Sequence, residues 1–215
     1  MATSESSDHA PVVVHVIEDD ELSRVASAQV LRTAGYTVRV YPTAAEFLAK
    51  PPAEPGCLVL DLRLPGPSGL DLQERLATAE NPLPIVFLTG YGDVPKSVRA
   101  MKAGAVDFLT KPVEASALLD AVARAIARDA ENRIVRARQL EVRRHYSRLT
   151  PREREVFAHL ISGQLNKQVG YDLGISEGTT KIHRRQVLEK MQAESVADLV
   201  RMAADLNIAP AGRVR

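Results

Sequence analysis

A chain of 215 residues, 45% hydrophobic and 26% charged, has the make-up of an ordinary globular protein with room for two small domains. Its apolar runs fall far short of the ~20 residues that span a bilayer, its polar, acidic opening does not read as a signal peptide, and its single cysteine, Cys57, excludes an internal disulfide, so a cytoplasmic protein without membrane contact is expected. The net charge of +1 hides an asymmetry: residues 1–114 carry −5, while residues 115–145 and 146–215 carry +3 each, which suits the two ends to different partners.

After a flexible tail over residues 1–11, the first half alternates β-rich runs with helical patterns. Strands are expected at Val12–Ile17, Thr37–Tyr41, Cys57–Leu60, Ile85–Leu88 and Asp107–Leu109. The first, third and fourth are nearly continuous in Val, Ile and Leu, the mark of parallel strands covered on both faces. Helices are expected between them at Leu22–Ala34, Thr43–Leu48, Gly69–Ala77 and Pro95–Ala103. The alternation predicts an α/β fold, a doubly wound five-stranded parallel sheet. Ligands gather at the carboxyl ends of the strands in such a sheet.

From Glu114 to about His145 the chain has neither Gly nor Pro and reads as one long helix. Leu119, Val122, Ile126, Ala130, Ile134, Ala137 and Leu140 form a single apolar stripe. Its first turns should pack on the sheet. The later ones should project as a linker over 129–147 or pair with another copy. An all-α domain of four short helices is expected over 148–208, followed by a tail at 209–215. Thr150-Pro151-Arg152-Glu153 is a capping-box start, and Gly163 closes that helix. Helices then follow at Asn166–Leu173, Glu177–Met191 and Ser195–Leu206. The second and third are joined through Gly174-Ile175 with Ser176 as cap, the layout of a helix-turn-helix.

Several chemistry-bearing residues fall at the predicted strand ends of the first domain: Glu18-Asp19-Asp20, Asp61, Thr89 and Lys111. A parallel sheet brings those ends to one rim. Taken alone, Glu18 to Glu21 would be a solvated loop and helix start, where acids suit the dipole. The lone Asp, Thr and Lys on the same rim favour a site. Glu18, Asp19 and Asp61 bring three negative charges; Lys111 and a hard divalent cation bring three positive ones, and Mg²⁺ (or Mn²⁺) is the natural candidate. Asp61 can then act as a nucleophile forming an acyl phosphate, with Lys111 neutralising phosphoryl oxygens and Thr89 offering a hydroxyl.

The segments His15–Asp20, Leu60–Gly69, Leu88–Asp93 and Met101–Pro112 closely resemble receiver domains of bacterial two-component response regulators of the FixJ/NarL class. The resemblance covers roughly Val12 to Arg128 and implies a flavodoxin-like receiver over residues 12–128. It makes Asp61 the phosphoacceptor, with Glu18, Asp19 and the Arg63 backbone carbonyl completing the metal shell. Asp20 stands close enough to compete for that role. Lys111 would precede a cis Pro112, and Thr89 and Phe108 would form the switch pair. An aspartyl-nucleophile phosphatase would need a second Asp where Arg63 stands. The Gly66-Pro-Ser-Gly69 turn lacks the Lys of a nucleotide loop and reads as an ordinary turn before a helix.

On a helical wheel, Thr180, Val187 and Met191 share an inward face, and Lys181, Ile182 and Arg185 lie opposite. Those side chains suit guanine edges, phosphates and a thymine methyl. Arg184, at the inner flank, suits a phosphate. Leu149–Val156, Asn166–Val169, Leu173–Ser176 and Thr179–His183 resemble the LuxR-type helix-turn-helix. That resemblance adds Thr179, His183 and Lys167 to the DNA-contacting set. Thr180 stands where the family usually has Val, and Gly170 where it has Ala, which costs ~1 kcal/mol of helix propensity. Both departures should soften the domain. The resemblances together imply a transcription factor, not an enzyme. Its partners would be a sensor histidine kinase, double-stranded DNA, a second copy of itself on phosphorylation, and RNA polymerase. The alternative is a phosphorylation-independent protein-binding module controlling the DNA-binding half.

Overall fold

A computed structural model of the chain describes residues 11–79, 81–90 and 94–212, excluding the side chain of Val94. The outer parts of both expected tails, and Tyr91 to Asp93 of the fourth-strand motif, lie outside the described residues. The chain divides into two compact units between Asn132 and Arg133.

Five strands build the first unit: β1 (Val13–Ile17), β2 (Thr37–Tyr41), β3 (Gly56–Asp61), β4 (Ile85–Thr89) and β5 (Asp107–Thr110). Helices α1 (Glu21–Thr33), α2 (Ala44–Ala49), α3 (Gly69–Ala77) and α4 (Val94–Lys102) alternate with them. All strand pairs are parallel, in the order β2-β1-β3-β4-β5. The order reverses direction between β1 and β3, where a doubly wound sheet opens its binding crevice. β1, β3 and β4 are buried along their whole length. Their side chains alternate between two cores. Leu58, Leu60 and Phe87 join Phe47 and Leu72 on one face; Cys57, Val59 and Val86 join Leu31 and Val122 on the other. This alternation converts a continuous apolar run into two packed layers.

Helix α5 (Ala115–Ser147) is a single helix of 33 residues. Leu118, Ala121, Val122 and Ala125 bury its beginning in the first unit, where Asp129 accepts a hydrogen bond from the Gly56 amide at 2.9 Å. The predicted stripe then runs out, with Ala130, Ile134, Ala137 and Leu140 exposed. Its end has a different fate from the two expected for it. Val142 and Tyr146 enter the core of the second unit with Leu149 and Phe157. They can do so because their spacing makes a ladder offset from the stripe read in the sequence.

The second unit continues with α6 (Pro151–Ile161), α7 (Asn166–Leu173), α8 (Glu177–Met191) and α9 (Val196–Asp205). The Thr150/Glu153 capping box forms as the sequence suggests. Its glutamate does more than cap: both Glu153 oxygens also accept hydrogen bonds from the Lys190 ammonium at 2.7 Å, tying the start of α6 to the end of α8. Burial alone would raise the Glu153 pKa, but the hydrogen bonds from Lys190 and Thr150 outweigh it and hold the carboxyl below its ordinary value. Gly174 closes α7 in the left-handed conformation, and Ser176 caps α8 through the Thr179 amide.

Candidate phosphoacceptor rim and DNA-contacting helix

The carboxyl ends of β1, β3 and β5 deliver Glu18, Asp19, Asp61 and Lys111 to one place. Glu18, Asp19 and Asp61 each offer a carboxylate oxygen within 4.8 Å of the others. The Lys111 ammonium bridges two of them, donating to Glu18 Oε2 at 2.5 Å and to Asp61 Oδ2 at 2.7 Å. The other Asp61 oxygen accepts from the Arg63 amide at 2.9 Å, so the carboxylate is held at both ends. Glu18 and Asp61 are buried, and Asp19 is exposed.

The electrostatics of this cluster are unbalanced. Burial pushes the Glu18 carboxyl up to about 7; the Lys111 hydrogen bond pulls the other way, and the Asp61 carboxylate adds to the rise. Lys111 is lowered by burial, but its hydrogen bonds to Asp61 and Glu18 prevail and leave it above its ordinary value. One ammonium thus faces three acids. The two negative charges left over, presented as oxygen donors, are what a hard divalent cation would satisfy.

Asp20 is not part of this cluster. Its side chain caps α1 by accepting from the Ser23 amide at 2.7 Å, a hydrogen bond that lowers its pKa. Arg24, which the sequence reading passed over, pins the acidic loop from below. Its guanidinium donates to the backbone carbonyls of Glu18 at 2.7 Å and Asp19 at 3.1 Å. Its only sequence signal is a basic residue one turn into the helix that follows the acids.

The turn at Gly66–Gly69 also does more than change direction. A Cβ at Gly69 would lie 2.6 Å from the Asp61 carbonyl oxygen and 3.1 Å from the Phe87 ring, so only glycine lets α3 begin against the end of β3. Thr89 is buried one residue beyond Leu88, the register partner of Asp61, and its hydroxyl donates to the Gly90 carbonyl at 2.8 Å. Phe108 is half-buried, with its ring centroid 6.2 Å from that of Phe87. The peptide bond between Lys111 and Pro112 is cis.

In the second unit, α8 divides as the wheel predicts. Thr180, Val187 and Met191 are fully buried, and Lys181, Ile182 and Arg185 are exposed. Thr179, His183 and Arg184 are half-buried, and Lys167 on α7 is exposed. Arg184 reaches across to α7, donating to Asn166 Oδ1 at 3.3 Å.

The two residues expected to soften the domain prove to be neighbours. A Cβ at Gly170 would lie 2.8 Å from the Ile175 carbonyl oxygen and 3.1 Å from Thr180 Oγ1. The Thr180 hydroxyl is itself satisfied, donating to the Ser176 carbonyl at 3.1 Å. The missing methyl makes room for the turn that positions α8, so packing opposes the propensity cost at this position.

No helix among the described residues is long and apolar enough to cross a membrane. Residues 14–123 match the family described as response regulator receiver domain, and residues 147–203 match bacterial regulatory proteins of the luxR family. Nodulation protein W of Bradyrhizobium diazoefficiens is 45% identical over 197 residues, spanning 91% of this chain and 87% of that protein. The transcriptional regulatory protein FixJ of Azorhizobium caulinodans is 42% identical, with 92% and 94% covered. Among solved structures, the response regulator StyR superposes with a TM-score of 0.75 at 43% identity, covering 91% of this chain and 99% of StyR. Full-length FixJ from B. japonicum gives 0.56 at 38%, covering 92% and 98%. The chain therefore belongs to the FixJ/NarL class of response regulators, transcription factors that join a receiver domain to a LuxR-type DNA-binding domain.

Proposed function

We propose that this response regulator is switched by phosphorylation of Asp61 by a sensor histidine kinase, and that the modified form dimerises and binds DNA in a sequence-specific manner in the cytoplasm. The receiver corresponds to residues 12–128 and the DNA-binding part to 148–208, joined through 129–147. One observation carries the reading: three carboxylates and one ammonium from the ends of three strands meet at a single rim, with Asp61 fixed at both of its oxygens. Glu18, Asp19, Asp61 and the Arg63 carbonyl are the residues to hold Mg²⁺ (or Mn²⁺). The cation would supply the positive charge that the cluster lacks and that phosphoryl oxygens need.

An Asp61 carboxylate oxygen attacks the phosphorus, and the P–N bond of the kinase phosphohistidine breaks with its electron pair passing to nitrogen. The imidazole, already protonated on its other ring nitrogen, leaves as the neutral ring while the acyl phosphate forms. Lys111 exchanges a carboxylate for a phosphoryl oxygen. The phosphoryl group of the product carries about −1.5 to −2 charge in place of the single charge of the carboxylate. The Thr89 hydroxyl leaves the Gly90 carbonyl to donate to the phosphoryl group, and Phe108 moves further inward over the space vacated. A second copy then docks on the altered surface, setting two α8 helices roughly one DNA turn, ~34 Å, apart. Lys181, Ile182 and Arg185, with Thr179, His183, Arg184 and Lys167 around them, contact bases and phosphates, and RNA polymerase reads the assembled complex.

Labelled acetyl phosphate with Mg²⁺ tests the chemistry. Incorporation should vanish in Asp61→Asn, and label persisting in that variant would refute the assignment. Beryllofluoride with Mg²⁺ should shift the wild type to a dimer on gel filtration. An unchanged elution volume would favour a receiver that works without phosphorylation.

A further inference from the structure

Every lysine and arginine of α8 already has a partner in the free protein. Lys181 lies 3.1 Å from Glu177, Arg185 lies 3.6 Å from Glu189, Arg184 is held by Asn166 and Lys190 by Glu153. The first two pairs differ from the others in their exposure, their side chains being between 49% and 74% accessible. Glu177, Lys181, Arg185 and Glu189 follow one another at four-residue steps and so form a single slow spiral along the helix. Any orientation that turns Lys181 and Arg185 toward a duplex also turns the two glutamates toward it. The outward stripe of the reading helix is therefore formally neutral, with an acid at each end.

Binding to arbitrary DNA is almost wholly a matter of charge. A cation that leaves its glutamate for a phosphate gains one contact, loses another, and strands a carboxylate beside the backbone. We infer that Glu177 and Glu189 are specificity-determining residues: by neutralising the reading face they hold down affinity for non-target duplex, so that useful binding requires two domains acting together. This rests on the reading of α8 as the DNA-contacting helix. It also goes beyond the role such acids have as ordinary i,i+4 helix partners, which would affect only helix stability.

The test uses full-length, unphosphorylated protein and a short mixed-sequence duplex, with binding followed by fluorescence anisotropy over a range of KCl. Each pair is worth about two- to fivefold. The double variant Glu177→Gln/Glu189→Gln should therefore bind about tenfold tighter than wild type, and its log–log salt dependence should steepen by roughly one to two. Glu194→Gln makes the same change in charge per residue at an exposed site that holds no ion pair among the described residues, and should move both quantities much less. Melting curves check that α8 remains folded. Unchanged affinity and slope in the double variant, or an equal response to Glu194→Gln, would overturn the inference. Lys181→Ala/Arg185→Ala serves as the separate arm: if it leaves duplex binding intact, the assignment of α8 to DNA is what fails.

Discussion

Replacing Gly170 with Ala sets helix propensity directly against packing. In an open helix the change gains ~1 kcal/mol, because glycine loses the most backbone freedom on folding. Here the added methyl would lie 2.8 Å from the Ile175 carbonyl oxygen, closer than carbon and oxygen tolerate, and 3.1 Å from a buried Thr180 hydroxyl. Neither neighbour yields easily. The Ile175 amide donates back to the Gly170 carbonyl at 2.9 Å, so moving Ile175 away stretches the bond that seals the turn, and Thr180 is tied to Ser176. Overpacking of this kind costs roughly 1–3 kcal/mol, which leaves a net loss of about 1 kcal/mol. That corresponds to about fivefold faster exchange of the α8 amides if they exchange through opening of the domain. Hydrogen-exchange mass spectrometry on peptides from α8 reads this for the second unit alone. Exchange at or below the wild-type rate would show that the turn gives way cheaply, and the packing argument would then be wrong.

Two further predictions concern the first unit. Lys111→Met removes the ammonium that bridges two buried carboxylates, which leaves charge without compensation. Because Glu18 can take up a proton near neutral pH, the loss is reduced to about 2 kcal/mol. Urea unfolding without divalent cations checks this, and a variant as stable as wild type would contradict it. His15 is wholly buried in β1, with Nδ1 3.1 Å from the Tyr41 hydroxyl and its ring stacked on that of Tyr41. Burial pushes its pKa down to about 4, with Glu54 opposing the shift and Arg39 assisting it. The unfolded chain therefore binds this proton more readily, and stability should fall as pH drops from 6.5 to about 4, by roughly 3 kcal/mol in total. Comparing the pH dependence of urea unfolding in wild type and His15→Phe isolates this contribution. Equal losses in the two proteins would rule His15 out.

Much of this architecture could be read directly from the sequence because its signals are short-ranged. The strands announce themselves as apolar runs, and Thr150 and Ser176 act on amides three residues away. The inward face of α8 is a matter of angle alone. The rim was legible for a different reason: a parallel sheet carries strand ends to one edge, so naming the strands named the residues that meet there.

Other features depend on neighbours that no local pattern identifies. Asp129 and Gly56, which share a buried hydrogen bond, are 73 residues apart. Asp19 and Asp20 look equivalent in sequence, yet one joins the acids and the other caps a helix, because the chain turns between them. Gly170 reads as a weak helix residue until α8 is brought against it. Along α5, periodicity finds an apolar stripe but not where its cover ends or that Val142 and Tyr146 serve a second core. The amino-acid sequence by itself determined the elements, their caps and the edge at which chemistry gathers, since these follow from hydrogen bonds and side-chain angles within about one helical turn. Which carboxylate joins the cluster, which glycine is obligatory and which cation is already paired were decided only by the tertiary structure, because close packing and charge act through space without regard to separation along the chain.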